Sequence, residues 1–273
     1  MSKQLARKEN HRDKTIVQVG NVQIGGNEIV LIAGPCAIES EQQLIDSGNE
    51  LKKSGVRILR ASAFKPRTSP YSFQGLGIEG LKMHRNAQKH HGLLVATEVM
   101  DVRLVDIASE HVDMLWIGAR NMQNFDLLKE VGKSSKPIIL KRSASATVEE
   151  WIQSAEYIMA HGNPNVILCE RGIRTFETST RYTLDLSAVA VAKQLTHLPI
   201  IVDPSHAAGR TDILAALCKA AIAIGADGLI IEAHPCPKES VCDKEQALSF
   251  EEFDSIAKEL KPLANSVGRT LVC

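Results

Sequence analysis

Aromatic side chains make up only 4% of the 273 residues, and 32 Lys and Arg residues are cancelled by 32 Asp and Glu. A base-stacking platform needs the first and a polyanion-binding face needs an excess of the second, so no nucleic-acid partner is expected. Nowhere does the chain approach the ~18–20 consecutive apolar residues of a membrane span, and its charged opening lacks the apolar stretch of a signal peptide. The expectation is a cytoplasmic protein with no membrane partner. Six cysteines at irregular spacing are too few for a disulfide framework in a chain of this size and read as thiols in a reducing compartment. No GxGxxG or GxxxxGK[ST] loop follows one of the strand-like runs, so a nucleotide cradle is not indicated, and low-complexity tracts and Pro-, Gly- or Ser-rich linkers are missing.

What is present is a repeat of pattern. Short, almost continuously apolar runs alternate with polar segments of helical periodicity. The runs are 29–33, 56–60, 93–97, 114–117, 137–140, 165–169, 199–203 and 228–232. Continuous apolarity is the mark of parallel strands covered on both faces, whereas half-exposed antiparallel strands alternate. Helix starts are signalled at Ser40 with Gln43 and at Thr147 before Glu149 and Glu150, and helix ends at Gly55, Gly92, Gly162 and Gly225. Eight such units of roughly thirty residues fit an α/β fold of the (β/α)8 TIM-barrel type better than a doubly wound sheet. Ahead of them, Gly20-Asn21 between two short Val/Ile runs predicts a type II′ β-hairpin. The expected division is an N-terminal extension over residues 1–28 and a catalytic barrel over residues 29–273.

In such barrels the active site lies at the C-terminal ends of the strands. Here the eight runs lead, in order, into Cys36; Arg60 with Lys65 and Arg67; Glu98; Arg120; Lys141; Glu170-Arg171; Asp203 and His206; and Glu232, His234 and Asp243. Any one of these could be a solvated loop charge, a packed thiol or a hydrogen-bonded imidazole. Together they describe a cup with one cationic wall, suited to phosphate or carboxylate, and one wall of thiol, imidazole and carboxylates. Cys36, His206, Glu232 and Asp243 form a donor set for a divalent transition ion. His234 and Cys236 compete for places in that set, while Cys169 and Cys218, inside apolar runs, read as core.

Six segments make the pattern recognisable: Ala33-Gly-Pro-Cys-Ala-Ile-Glu-Ser40, Lys65-Pro-Arg-Thr-Ser69, Ile117-Gly-Ala-Arg120, Leu140-Lys-Arg142, Cys169-Glu-Arg-Gly172 and Val202-Asp-Pro-Ser-His206. The ordered set resembles the 3-deoxy-D-arabino-heptulosonate 7-phosphate (DAHP) synthases, in the short form related to the 3-deoxy-D-manno-octulosonate 8-phosphate synthases. The resemblance implies a metal-dependent, aldol-like condensation of phosphoenolpyruvate with erythrose 4-phosphate and water, releasing phosphate, as the first step of the shikimate pathway to aromatic amino acids. It implies that Arg120, Lys141 and Arg171 hold the phosphoenolpyruvate phosphate and that Arg60 and Lys65 hold its carboxylate. Lys65, Pro66, Arg67, Thr68 and Asp243 would face erythrose 4-phosphate, with Arg67 and Thr68 on its phosphate. Cys36, His206, Glu232 and Asp243 would ligate Mn, Fe, Co or Zn, and the catalytic positions would be Lys65, Glu98 and His206. Ser143 departs from the pattern, which has glycine there. A homodimer or homotetramer is implied.

Two alternatives stand beside this reading. The sister octulosonate synthase uses arabinose 5-phosphate, and the loop after its second strand resembles Lys-Ala-Asn-Arg-Ser-Ser; Pro66 and Arg67 favour the four-carbon acceptor instead. A non-catalytic phosphosugar-binding barrel would be marked by a missing ligand or a broken cationic set, and neither occurs. Residues 1–28 hold one hairpin's worth of apolar side chains, too few for a separate regulatory core. The isolated protein is therefore expected not to be inhibited by phenylalanine, tyrosine or tryptophan. Saturable calorimetric binding of any of these away from the substrates, together with inhibition, would contradict that expectation.

Overall fold

The computed structural model describes residues 4–8, 14–67 and 69–272. Eight parallel strands close into a barrel in the order β10-β3-β4-β5-β6-β7-β8-β9. They are β3 (Val30–Gly34), β4 (Val56–Arg60), β5 (Leu94–Glu98), β6 (Met114–Ile117), β7 (Ile138–Lys141), β8 (Val166–Glu170), β9 (Ile200–Val202) and β10 (Gly228–Glu232). Helices alternate with them: α1 (Glu41–Lys53), α2 (Gly77–His91), α3 (Val105–His111), α4 (Phe125–Lys133), α5 (Val148–Ala160), α6 (Leu186–Leu195), α7 (Pro204–Ala208), α8 (Leu214–Ala223) and α9 (Phe250–Ser266). Four strands run one residue further toward the site than the apolar pattern suggests, because polar residues such as Glu98 still pair in the ladder, here opposite Trp116. Strand β9 stops earlier, because Asp203 leaves the sheet to cap α7.

The apolar residues divide into two cores. One fills the layer between strands and helices; Cys218 lies in it. The other fills the barrel interior and includes Ile32, Ile58, Trp116, Ile139, Cys169 and Ile201. The hairpin of β1 (Val17–Val19) and β2 (Val22–Ile24) contributes Val17, Val19, Val22 and Ile24 to this interior core. It therefore plugs the N-terminal mouth of the barrel. Its turn has φ +51° at Gly20 and no left-handed Asn21, as a type II′ turn requires. Glycine is also needed for space, since a Cβ there would lie 2.6 Å from Leu94 Cδ2. With one mouth sealed, polar chemistry is confined to the other.

The caps follow the sequence in part. Thr147 and Glu150 form a complete capping box at α5. At α1 only half of one forms: Ser40 accepts from the Gln43 amide, but the Gln43 side chain accepts from the Glu39 N–H and reaches His234. Gly92 ends α2 in the left-handed conformation. No helix among the described residues is long and apolar enough to cross a membrane.

Helix α2 buries His84, whose Nε2 donates to the Ala96 carbonyl while Nδ1 has no partner. Burial lowers its pKa to about 4, with His91 nearby in the same direction. The unfolded imidazole titrates near ~6.5. The unfolded state therefore takes up a proton first, so this contribution to stability is complete above that pH and is lost as pH falls toward the folded value. At pH 5 the loss from His84 is about 2 kcal/mol. Urea unfolding at pH 7.5 and pH 5 should show this loss, and His84→Gln should shrink it. An equal acid loss in the variant would refute the assignment.

Candidate active site

The strand ends form the wall of a cavity of about 380 Å³ that is lined by Arg60, Lys65, Pro66, Arg67, Glu98, Arg120, Lys141, Arg171, His206 and Asp243. On one side, Cys36 after β3, His206 on α7, Glu232 at the end of β10 and Asp243 in the following loop place one donor atom each within 4.8 Å of all the others. Cys36 Sγ lies 3.0 Å from Asp243 Oδ2, and His206 Nε2 lies 3.2 Å from Glu232 Oε1. Asp243 is the only described non-glycine residue at positive φ, +50°. Asp tolerates that region better than most residues, and here it turns the carboxylate back to the cluster.

Each of the four donors is held from behind. Asp203 accepts from His206 Nδ1 at 3.0 Å, which fixes the tautomer and leaves Nε2 facing the other ligands. Glu232 takes Arg60 Nη1 and Gln246 Nε2, both at 2.7 Å. Arg181 Nη1 reaches Asp243 Oδ1 at 3.3 Å, and Lys65 Nζ lies 2.9 Å from Cys36 Sγ. Metal-binding histidines and carboxylates are ordinarily oriented by such partners. The mixture of one sulfur, one imidazole nitrogen and two carboxylates suits a divalent transition ion, and the geometry fits one. Burial holds the His206 pKa below its usual value against Asp203 and Glu232, so the imidazole is neutral, as a ligand must be. The Cys36 thiol is raised by its hydrogen bond with Cys242, by burial and by Glu232. An ion would reverse that and hold the thiolate.

His234 and Cys236 lie outside the cluster. His234 Nε2 meets Gln43 and Glu39, and its Nδ1 accepts from the Cys236 N–H. The imidazole joins the loops after β3 and β10 without facing the donors.

The opposite wall is cationic, with Trp116 as its floor. The Arg60 and Lys141 cations sit 5.0 and 5.7 Å from the Trp116 ring centroid. Arg60 is fully buried; its Nη atoms are used by Glu232 and the Cys36 carbonyl, and Nε has no partner. This arginine thus supports the acidic wall directly and keeps one donor free. Lys141 pairs with Asp203 at 2.6 Å, and Arg171 donates to the His206 carbonyl and stacks on Tyr182 at 4.2 Å. Arg120 is exposed on the 3-10 turn after β6. Glu98 lies against Gly118, where a Cβ would come within 2.0 Å of its Oε1, so only glycine lets that carboxylate stand there. Burial opposes the charge on Lys65, but Cys36, Cys242 and Glu232 outweigh it and raise the pKa, so the ammonium stays charged.

Pro66 and Arg67 line the cavity with Ser69 and Ser72; Thr68 lies outside the described residues. Ser143, where a glycine would fit the pattern, causes no strain: it has no left-handed φ, and its N–H meets Met122 Sδ at 3.2 Å. Three aromatic or charged cavity residues escaped the sequence reading: Trp116, Arg181 and Tyr182. Trp116 was hidden inside an apolar run. The other two sit mid-loop, about ten residues beyond a strand end. Two charged residues near the strand ends turn away from the cavity, with Arg142 bonded to Glu170 and Asp185 at 3.0 and 2.9 Å.

Comparisons with known proteins bear on the family and the fold. A family model described as the DAHP synthetase I family matches residues 7–267. Phospho-2-dehydro-3-deoxyheptonate aldolase of Thermotoga maritima is 47% identical over 264 residues, covering 97% of this chain and 78% of that protein. 2-dehydro-3-deoxyphosphooctonate aldolase of Syntrophotalea carbinolica is 31% identical over 269 residues, covering 89% of this chain and 94% of that one. The crystal structure of the Thermotoga maritima enzyme superposes with a TM-score of 0.95 at 46% identity, covering 98% of this chain and 79% of that one. A truncated form of 3-deoxy-D-arabino-heptulosonate 7-phosphate synthase from the same organism gives 0.91 at 44% identity, covering 97% and 98%.

Cys36 and Cys242 pack together in one small buried cluster. Stripping the site with a chelator and treating the protein with diamide, a two-electron oxidant of thiols, should join them as a disulfide, and a bound divalent ion should slow the reaction. Peptide mapping that finds only other pairings, or equal rates with and without the ion, would count against both the cluster and its ligand role.

Proposed function

Because the chain belongs to the DAHP synthetase I family, we propose that it is a 3-deoxy-7-phosphoheptulonate synthase: it condenses phosphoenolpyruvate with erythrose 4-phosphate and water to give DAHP and phosphate, at the head of the shikimate pathway to aromatic amino acids. The observation that carries the reading is the meeting, in one cavity, of the four-donor cluster and the cationic wall. Cys36, His206, Glu232 and Asp243 hold a divalent transition ion, one of Mn, Fe, Co or Zn. When bound, the ion supplies Lewis-acid polarisation of the aldehyde oxygen.

The residues of the chain do the rest. Arg120, Lys141 and Arg171 receive the phosphate of phosphoenolpyruvate. The free Nε of Arg60, beside the Lys65 ammonium, receives its carboxylate. Both anionic groups are thereby fixed, and C3 is aimed at the acceptor without a loss of orientation in the reacting step. Glu98, on the same wall, supplies negative charge where C2 becomes positive before water adds. Arg67 and Thr68 bind the acceptor phosphate, and Pro66 stiffens the loop between them and Lys65. Lys65, charged and at the junction of the two walls, gives a proton to the oxygen that becomes the new hydroxyl. A second copy or three more of the chain complete the assembly, as a homodimer or homotetramer.

Phosphate release from phosphoenolpyruvate, measured with erythrose 4-phosphate and arabinose 5-phosphate offered separately, tests the reaction. Turnover with erythrose 4-phosphate is expected, abolished by a strong chelator and restored by a divalent transition ion, but not restored in Cys36→Ala. Preference for arabinose 5-phosphate would identify the octulosonate reaction, and release with neither aldose would favour a binding protein. Arg120→Ala should raise the KM for phosphoenolpyruvate roughly 10- to 100-fold, the worth of a charge-assisted hydrogen bond, without lowering Tm. A lower Tm with unchanged KM would assign Arg120 to structure.

A further inference from the structure

The loop between β8 and α6 folds back on itself through paired hydrogen bonds between Ile173 and Thr183, at 2.9 and 3.0 Å. This returns Arg181 and Tyr182 to the cavity wall, where their main chains bond the helix that bears His206: Arg181 N–H donates to the Ala208 carbonyl and Tyr182 N–H to the Ala207 carbonyl, at 2.9 and 2.8 Å. Two glycines at positive φ make the approach possible. A Cβ on Gly209 would lie 2.7 Å from Arg181 Cβ, and one on Gly172 would lie 2.7 Å from Tyr182 Cβ and 3.0 Å from Ala207 Cβ. The dipeptide is thus clamped against α7 on one side and against the residue after Arg171 on the other.

Its two side chains then diverge. Arg181 Nη1 bridges Asp243 Oδ1 at 3.3 Å and Gln246 Oε1 at 3.1 Å, and Gln246 Nε2 in turn holds Glu232 at 2.7 Å. One guanidinium therefore fixes the outward oxygen of Asp243 directly and that of Glu232 through one amide, leaving the opposite oxygens to the donor cluster. Tyr182 places its ring 4.2 Å from the Arg171 guanidinium carbon, which restrains an arginine that also donates to the His206 carbonyl.

We propose that Arg181 and Tyr182 are positioning residues that join the two walls of the cup: Arg181 orients the carboxylates of Asp243 and Glu232 for the ion, and Tyr182 orients Arg171 for the phosphate of the donor substrate. The proposal rests on the function proposed above and assigns to adjacent residues two separable effects. A structural loop would instead couple them, because unpacking either residue would loosen both walls together.

The test uses binding, not turnover. Co²⁺ affinity is measured by competition with a chromogenic chelator, with the thiolate-to-cobalt absorbance as a signature of Cys36 ligation. Phosphoenolpyruvate affinity is measured by calorimetry on the metal-loaded protein without an acceptor. Arg181→Gln should weaken Co²⁺ binding about 10- to 100-fold, as loss of an outer partner does. It should leave phosphoenolpyruvate affinity within about twofold, and Arg181→Lys should recover part of the metal affinity. Tyr182→Leu should do the reverse, weakening phosphoenolpyruvate roughly 2- to 30-fold, the range of a cation–π contact, with Co²⁺ affinity kept. Tyr182→Phe, which keeps the ring and loses only the hydroxyl beside Arg171 and Arg174, should lose less phosphoenolpyruvate affinity than Tyr182→Leu. Unchanged affinities in both Arg181→Gln and Tyr182→Leu, or equal losses of both affinities with a lowered Tm, overturn the proposal. An unaltered protein that binds neither Co²⁺ nor phosphoenolpyruvate overturns the function it rests on, and the proposal with it.

Discussion

Glu232 stands at the end of β10 with its carboxylate wholly buried, and a carboxylate without water stays charged only where other groups replace its hydration. Burial pushes its pKa up, yet His206, Arg60 and Lys65 together bring it below the ordinary value. Its oxygens accept from Arg60 Nη1 and Gln246 Nε2, His206 Nε2 stands 3.2 Å from one of them, and its own N–H donates to the Ser205 hydroxyl. Removing any one of these partners would leave charge buried and uncompensated, which makes the whole set interdependent. Arg60 is held there in return, and its remaining donor is all it can offer to a substrate. The cationic and acidic walls therefore share members and are stabilised as one network.

Position along the chain sets most of this arrangement, which is why so much of it is legible in the sequence. Parallel strands covered on both faces leave a continuous apolar run, and the residue type where each run stops could be read directly. That points to the barrel, the hairpin and a donor set of Cys36, His206, Glu232 and Asp243 with His234 and Cys236 still in competition. Position alone does not say which way a side chain points. Lys141 and Arg142 are adjacent, yet the first faces the cavity and pairs with Asp203 while the second turns to Glu170 and Asp185. Strand geometry sends neighbours to opposite sides, and the phase of that alternation cannot be fixed from a run in which every residue is apolar.

The residues that sequence reasoning missed share another cause. In the sequence Asp203 is a charge at a strand end, but its work is to hold His206 and Lys141 at once, a role visible only when β7, β9 and α7 are assembled. Arg181 and Tyr182 belong to a loop that doubles back, so their distance from the strand end in sequence bears no relation to their distance in space. His234 is the converse case: as a ligand candidate it looked equal to His206, and what separates them is the ring's environment. The His206 ring is backed by a carboxylate and faces three donors, whereas both nitrogens of His234 are engaged by the loops it joins.

The hairpin gives the barrel a second kind of order. Its four buried aliphatic residues close the N-terminal mouth and merge with the interior core, whose upper members include Trp116 and Cys169. Trp116 is at once the top of that core and the floor of the cavity, with Arg60 and Lys141 over its ring. Packing below and electrostatics above thus meet in one side chain. An interior packed at crystal-like density cannot absorb a shift at its base by local compression. A loosened plug would be felt at Trp116, and through it at the two cations that rest on it, so the accuracy of the cup is set partly at the far end of the barrel.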